Sequence, residues 1–258
     1  MDLNVSLIQA PLAWEDKEYN LKYFERKISI IKEETDIVVL PEMFSTGFSM
    51  NSKSMGEGMT GYSVKWMKRV AKENNIHIIG SLIIKEKSKY FNRLLVVGPK
   101  GVESSYDKRH LFTMAGEDQN YSAGSDKVIW KHKGWRICLQ VCYDLRFPVF
   151  SRNQGDYDCL IYVANWPEKR SYPWKTLLLA RAMENQAYVI ACNRVGTDAN
   201  GIDYSGDSAI IDPIGEYLVE CAPHEEGVYY KTLSKSFLEK CQKQFPVLND
   251  RDGFQLTD

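Results

Sequence analysis

The sequence holds 258 residues, 44% of them hydrophobic, and its 33 Lys+Arg nearly balance 34 Asp+Glu for a net charge of -1. That length and apolar content support one sizeable core and exclude a disordered chain, while the charge balance leaves no electrostatic footprint for nucleic acid. No window approaches the roughly 18 apolar residues of a membrane span, and six irregularly spaced cysteines, with neither a Cys-x-x-Cys pair nor a His-rich cluster, exclude a disulfide framework and a zinc site, so reduced thiols and no metal or cofactor are expected.

The chain opens into the strand pattern Asn4-Val5-Ser6-Leu7-Ile8-Gln9 with no basic, apolar leader ahead of it, which predicts a cytoplasmic protein. Apolar residues at Leu21, Phe24, Ile28 and Ile31 predict a helix over 19–32, and Asp36 to Leu40 reads as a buried strand ending in Pro41-Glu42-Met43-Phe44. A strand, a helix and a strand in succession suggest a βαβ-like start. A Ser-, Gly- and Met-rich loop over 45–60 is followed by a helix over 62–74 and a strand over 76–84, in which His77 reads as a satisfied core histidine. Residues 90–97 and 102–106 read as a hairpin across Gly98-Pro99-Lys100-Gly101, leading to Tyr106-Asp107-Lys108-Arg109-His110-Leu111-Phe112 and a polar loop holding Glu117.

A second hairpin runs through Val128-Ile129-Trp130 and Trp135 to Cys138, and its return delivers the chain to Val141-Cys142-Tyr143-Asp144-Leu145-Arg146-Phe147-Pro148. A short helix over 147–154, a strand over 159–164 ending in Asn165-Trp166-Pro167-Glu168-Lys169-Arg170, a helix over 174–186 and a strand over 188–193 follow. Short strands over 208–211, 216–220 and 227–230 and an amphipathic segment over 234–244 complete the pattern. No linker, repeat or low-complexity stretch divides the chain, so one domain over residues 1–258 is expected.

Three strand ends carry reactive groups. Cys142 stands where an apolar run breaks into a loop, so the N–H groups that follow it, Tyr143 first, are uncommitted and able to face an oxyanion. Glu42 follows a buried strand, where a carboxylate is expensive unless exposed or functional. Lys108, read alone, is a surface lysine, and Cys138, Cys159 and Cys192, inside apolar runs, read as core. A thiol needs a base, an oxyanion needs a cation and a leaving amine needs a proton, so glutamate, lysine and cysteine are complementary.

Leu-Pro-Glu-Met-Phe at 40–44, Tyr-Asp-Lys-Arg-His-Leu-Phe at 106–112 and Val-Cys-Tyr-Asp-Leu-Arg-Phe-Pro at 141–148 resemble, in order and separation, the three signature blocks of the nitrilase superfamily of carbon–nitrogen hydrolases. Asn165-Trp166, the segment Arg181-Ala182-x-Glu184-Asn185 and Gly206-x-Ser208 extend the likeness into the second half. The resemblance implies an α/β fold, a four-layer α-β-β-α sandwich with two mixed sheets flanked by helices, and a catalytic triad of Glu42, Lys108 and Cys142. It also implies a second glutamate, for which Glu117 is the candidate, with Asp118 as its neighbour and rival. Cys-Tyr-Asp-Leu-Arg-Phe-Pro with Val-Ala-Asn-Trp-Pro and Cys-Asn-Arg-Val-Gly most resembles the bacterial omega-amidases, which implies hydrolysis of the side amide of small 2-oxo acids through a thioester on Cys142.

A substrate carboxylate then calls for a cation, and Arg170 is the candidate; Arg146 is the rival, read instead as a local ion pair with Asp144 that holds the elbow. Tyr143, Trp166 and Phe112 complete the expected substrate contacts. The alternatives are another hydrolase of the same superfamily, such as a nitrilase or an N-carbamoyl amino acid hydrolase, and a non-catalytic scaffold with an inert thiol. The family resemblance implies a homodimer, for which exposed Trp and Tyr residues would supply the contact; neither nucleic acid nor membrane is expected as a partner.

Overall fold

The computed structural model describes residues 1–256. Its strands in chain order are β1 (Leu3–Gln9), β2 (Ile37–Val39), β3 (His77–Glu86), β4 (Lys89–Gly98), β5 (Gly101–Asp107), β6 (Ile129–His132), β7 (Trp135–Val141), β8 (Cys159–Val163), β9 (Tyr188–Cys192), β10 (Val195–Thr197), β11 (Asp203–Ser205), β12 (Ala209–Ile211), β13 (Tyr217–Glu220) and β14 (Gly227–Leu233). They form two six-stranded sheets, β14-β1-β2-β3-β4-β5 and β13-β12-β9-β8-β7-β6, with β10 and β11 as a separate hairpin. Each sheet is mixed: β1-β2-β3 and β7-β8-β9 run parallel, and antiparallel strands flank them.

The two faces of the first sheet can be followed along single strands. Leu94 and Val96 of β4 join the layer between the sheets, whereas Leu95 and Val97 join the layer beneath the helices Lys17–Ser29 and Tyr62–Asn74. Those helices contribute Phe24, Ile28, Val64, Met67 and Val70 to that outer layer. The second sheet is covered by the helix Ser171–Asn185, through Trp174, Leu178 and Ala182. Helix, sheet, sheet and helix stack in four layers, as the resemblance implied.

Element ends depart from the expected ones for local reasons. The first helix starts at Lys17, because the Asp16 carboxylate caps the Tyr19 N–H at 2.9 Å, and stops at Ser29 rather than 32. The helix expected from 174 begins at Ser171: Pro173 lies in its first turn, where a missing N–H costs no intrahelical bond. The expected helix over 147–154 is a single turn, Pro148–Ser151, and the loop over 45–60 contains another, Ser52–Met55.

His77 is half-buried rather than a core residue. Its Nε2 stands 3.1 Å from Glu103, and its ring lies 4.3 Å from that of His132, a neighbour distant in sequence. The expectation of exposed tryptophans for a subunit contact is corrected: Trp66, Trp130, Trp135, Trp166 and Trp174 are buried and Trp14 is half-buried, while Tyr19, Tyr62, Tyr172 and Phe245 are exposed. All six cysteines are free thiols. Among the described residues no helix is long and apolar enough to cross a membrane, and no cluster of three or more His, Cys, Asp or Glu could hold a metal ion.

Candidate active site

β2, β5, β7 and β8 end at the same edge of the sandwich, and the residues that follow them meet. Lys108, one residue past β5, is 1% exposed, so it is not the surface lysine its local sequence suggests. Its Nζ donates to Glu42 Oε1 at 2.9 Å, to Glu117 Oε2 at 2.8 Å and to Glu117 Oε1 at 3.0 Å. Both carboxylates are fully buried. Glu42 Oε2 accepts the Asn165 backbone N–H at 2.8 Å, and Glu117 Oε2 accepts the Phe112 N–H at 2.6 Å. Glu117, not Asp118, is therefore the second acid of the cluster; it opens the helical turn Glu117–Asn120, from which Asp118 projects to solvent.

Cys142 starts the 3-10 turn Cys142–Arg146 directly after β7, with φ +45°. A non-glycine residue in the left-handed region is strained and persists only where its surroundings over-determine it. Here the determinant is Asp144. Its carboxylate accepts the Val141 N–H at 2.9 Å, the Tyr106 hydroxyl at 2.7 Å and the His110 N–H at 3.0 Å, and it pairs with His110 Nδ1 at 2.8 Å. Arg181 adds a bond to the Leu145 carbonyl at 2.7 Å. The expected Asp144–Arg146 ion pair is absent, because Asp144 is already saturated by donors from the Tyr106–His110 segment and its own turn.

Burial foremost, then the neighbouring Glu42 carboxylate, pushes the Cys142 thiol well above its ordinary value, and Lys108 opposes only part of that rise. Glu42 and Glu117 both disfavour a thiolate beside them, and the single Lys108 ammonium does not cancel the two. Cys142 rests as a thiol whose sulfur donates a long bond to the Asn165 carbonyl at 4.0 Å, with the Glu42 carboxylate close enough to act on its titration. Burial works against the charge on Lys108, yet Glu117 and Glu42 outweigh it and hold the ammonium well above the usual lysine range. Burial likewise raises Glu117 against the pull of Lys108.

A cavity of about 410 Å³ opens above Cys142. Phe112, Tyr143, Trp166 and Arg170, all expected as substrate contacts, line it, and so does Arg146. The Arg146 guanidinium lies 5.1 Å from the Trp166 ring centre and that of Arg170 lies 5.1 Å from the Phe112 ring centre. Neither has a carboxylate partner among the described residues. Arg146 is thus a wall of the pocket rather than a prop of the elbow. Trp166 is held by the Asn193 side chain, whose Oδ1 accepts its N–H at 2.8 Å, and its own indole donates to the Arg170 carbonyl at 2.7 Å. The hairpin of β10 and β11 adds Ile202 and Tyr204 to the far wall.

Sequence reasoning assigned no role to Asn92, Tyr106 or Asn193, and it paired Asp144 with Arg146 rather than with Tyr106 and His110. The one available signal was polarity out of place: Asn92 interrupts an apolar strand on the face that also carries Leu94 and Val96.

Comparison with known proteins places the chain in a family. The chain is 46% identical over 254 residues to "Omega-amidase YafV" of Escherichia coli K12, covering 98% of each chain. It is 31% identical to the "2-oxoglutaramate amidase" of Bacillus subtilis, covering 97% of this chain and 98% of the relative. The crystal structure of XC1258 from Xanthomonas campestris, described as a CN-hydrolase superfamily protein with an arsenic adduct in the active site, superimposes with a TM-score of 0.97 at 42% identity and covers 100% of both chains. The carbon-nitrogen hydrolase family model matches residues 4–243, and with relatives this similar over nearly their whole length the chain belongs to the carbon–nitrogen hydrolase family.

Proposed function

We propose that the protein is an omega-amidase, hydrolysing the terminal amide of a small 2-oxo acid such as 2-oxoglutaramate or 2-oxosuccinamate to the dicarboxylate and ammonia. The observation that carries this reading is the pocket: a strained cysteine at its floor and, on its walls, two guanidinium groups without carboxylate partners. A substrate carboxylate would complete those arginines as a charge-assisted pair and set the distal amide over the thiol.

In the proposed reaction Glu42 takes the Cys142 proton as sulfur attacks the amide carbon, and the oxyanion is held by Lys108 and the Tyr143 N–H. Protonated Glu42 returns the proton to the departing ammonia, leaving a thioester. Water then attacks the thioester carbon, Glu42 takes its proton, and the thiol is regenerated as the acid leaves. Glu117, with both oxygens on Lys108, holds the ammonium where the oxyanion forms. No cofactor is required. The same proposal takes the chain as one catalytic domain, acting in the cytoplasm as a homodimer, which light scattering of the purified protein would test.

The test is ammonia release across 2-oxo acid amides, simple amides, nitriles and N-carbamoyl amino acids. A preference for the 2-oxo acid amides supports the reading. Turnover confined to nitriles or carbamoyl compounds would move the protein to another branch, and no turnover with any of them, together with an unreactive Cys142, would favour the scaffold alternative.

A further inference from the structure

Asn92 lies on β4, fully buried, and its carbonyl accepts the Lys108 backbone N–H at 3.0 Å, which ties it to the end of β5. Its side-chain Nδ2 donates to Glu42 Oε1 at 2.7 Å and to Glu117 Oε1 at 3.2 Å. Those same two oxygens accept from Lys108 Nζ at 2.9 and 3.0 Å. The carboxylates therefore meet across two shared donors, one charged and one neutral. Like charges this close drive one of the pair to keep a proton, and a carboxylic acid at Glu42 could not receive the thiol proton. A second cation would relieve the repulsion but would also stabilise a resting thiolate and neutralise the base. An amide relieves it by hydrogen bonding alone. Its orientation is fixed, since the opposite rotamer would set Oδ1 against two carboxylate oxygens, and Oδ1 itself is buried without a partner.

We infer that Asn92 is a positioning residue for the reaction: its amide bridges Glu42 and Glu117 and turns both onto Lys108, holding the Glu42 carboxylate where it can receive the Cys142 proton. This rests on the proposed role of Glu42 as the base. The groups facing Asn92 are Glu42 from the turn after β2, Lys108 from the end of β5, Glu117 and, nearby, Tyr121 and Cys142, and no other cation among the described residues contacts the pair.

Asn92→Leu removes the donor, and Asn92→Asp keeps the shape while adding a third carboxylate. Both are expected to move the acid limb of the kcat against pH profile upward by about one unit, the aspartate at least as far as the leucine, and to lower kcat at neutral pH about tenfold or more with KM within about twofold. Iodoacetamide labelling of Cys142 should show the same displaced acid limb. Should Asn92→Leu fail to fold, the isosteric Asn92→Asp decides alone. A folded Asn92→Asp protein with the parent acid limb, or with a change in KM only, overturns the inference. Glu42→Gln separates the two readings: if it retains normal turnover the proposed base is wrong, whereas if it is inactive and the Asn92 variants keep the parent profile, only the bridge is wrong.

Discussion

Lys108 Nζ stands 2.9 Å from Glu42 Oε1 with both side chains excluded from solvent, at the meeting point of segments 66 positions apart. A buried ion pair adds little net stability, because desolvation of both charges offsets their attraction, but breaking one strands the remaining charge. The packing around the cluster therefore carries the stability, and the proposed mechanism supplies the reason to keep the charges.

Lys108→Met should cost about 3–5 kcal/mol of unfolding free energy at neutral pH, since it leaves two buried carboxylates uncompensated. Turnover should fall at least ~100-fold, the scale of losing one oxyanion donor. The pH dependence has a definite sign. Burial already raises Glu117, and removing Lys108 takes away what opposes that rise. A carboxyl raised on folding stabilises the protein below its unfolded pKa and loses that contribution as pH rises through the folded one. The deficit of Lys108→Met should thus shrink toward acid pH, as denaturation midpoints between neutral and acid buffers would show; a deficit that widens in acid would refute this account.

Cys142 and Cys138 provide an internal control, four residues apart on the same chain segment. Burial pushes the Cys138 thiol up to about 12, and it is fully buried in the core of the second sheet, whereas Cys142 opens on the pocket beside Glu42. Cys142→Ala should fold and lose turnover; Cys138→Ala should keep turnover, with stability lowered by ~1 kcal/mol for the lost packing. Iodoacetamide in modest excess should modify Cys142 and leave Cys138 untouched, with half-buried Cys241 as the accessible reference thiol, as peptide mass spectrometry would reveal. An ultraviolet titration should show no thiolate from Cys142 at its ordinary value of 9.0, because burial and Glu42 hold the proton on sulfur.

The four layers were readable because each strand advertises itself by alternation or by an unbroken apolar run, and each covering helix by its period. Glu42, Lys108 and Cys142 could be placed at strand ends, but their meeting could not be read from residues far apart in sequence; resemblance supplied that step. What remained hidden was contact made across the fold. Asp144 lies two residues from Arg146, so a local ion pair looked natural, yet its oxygens are taken by Tyr106 and His110 from a distant segment. Released from Asp144, Arg146 turns to the pocket. Asn92 escaped for a related reason: one polar residue in a strand gives no hint of which distant carboxylates it will bridge.

Arg146 and Arg170 face the same cavity over two different rings, and their contributions should appear in substrate binding. Replacing either with alanine should raise KM for an amide that carries a carboxylate by about 10–100-fold, the range of one charge-assisted hydrogen bond of roughly 1.5–3 kcal/mol. For an uncharged amide of the same length the change should be under about threefold. Kinetics with the matched pair of substrates checks this, and equal losses on both would show that the arginines support the ring walls rather than the substrate.

The Asp144 carboxylate fixes the turn in which Cys142 adopts φ +45°, through donors from Val141, Tyr106 and His110. Asp144→Asn preserves shape but turns one acceptor into a donor facing donors, which should destabilise the fold by about 2–3 kcal/mol and let the elbow relax. Tyr106→Phe removes a single bond and should cost about 1 kcal/mol with turnover largely kept. The two variants together separate elbow geometry from general stability: at a temperature where both remain folded, Asp144→Asn should show slower Cys142 alkylation and lower kcat, while Tyr106→Phe should match the parent in both. Equal alkylation rates in all three proteins would mean that Cys142 holds its strained conformation without Asp144.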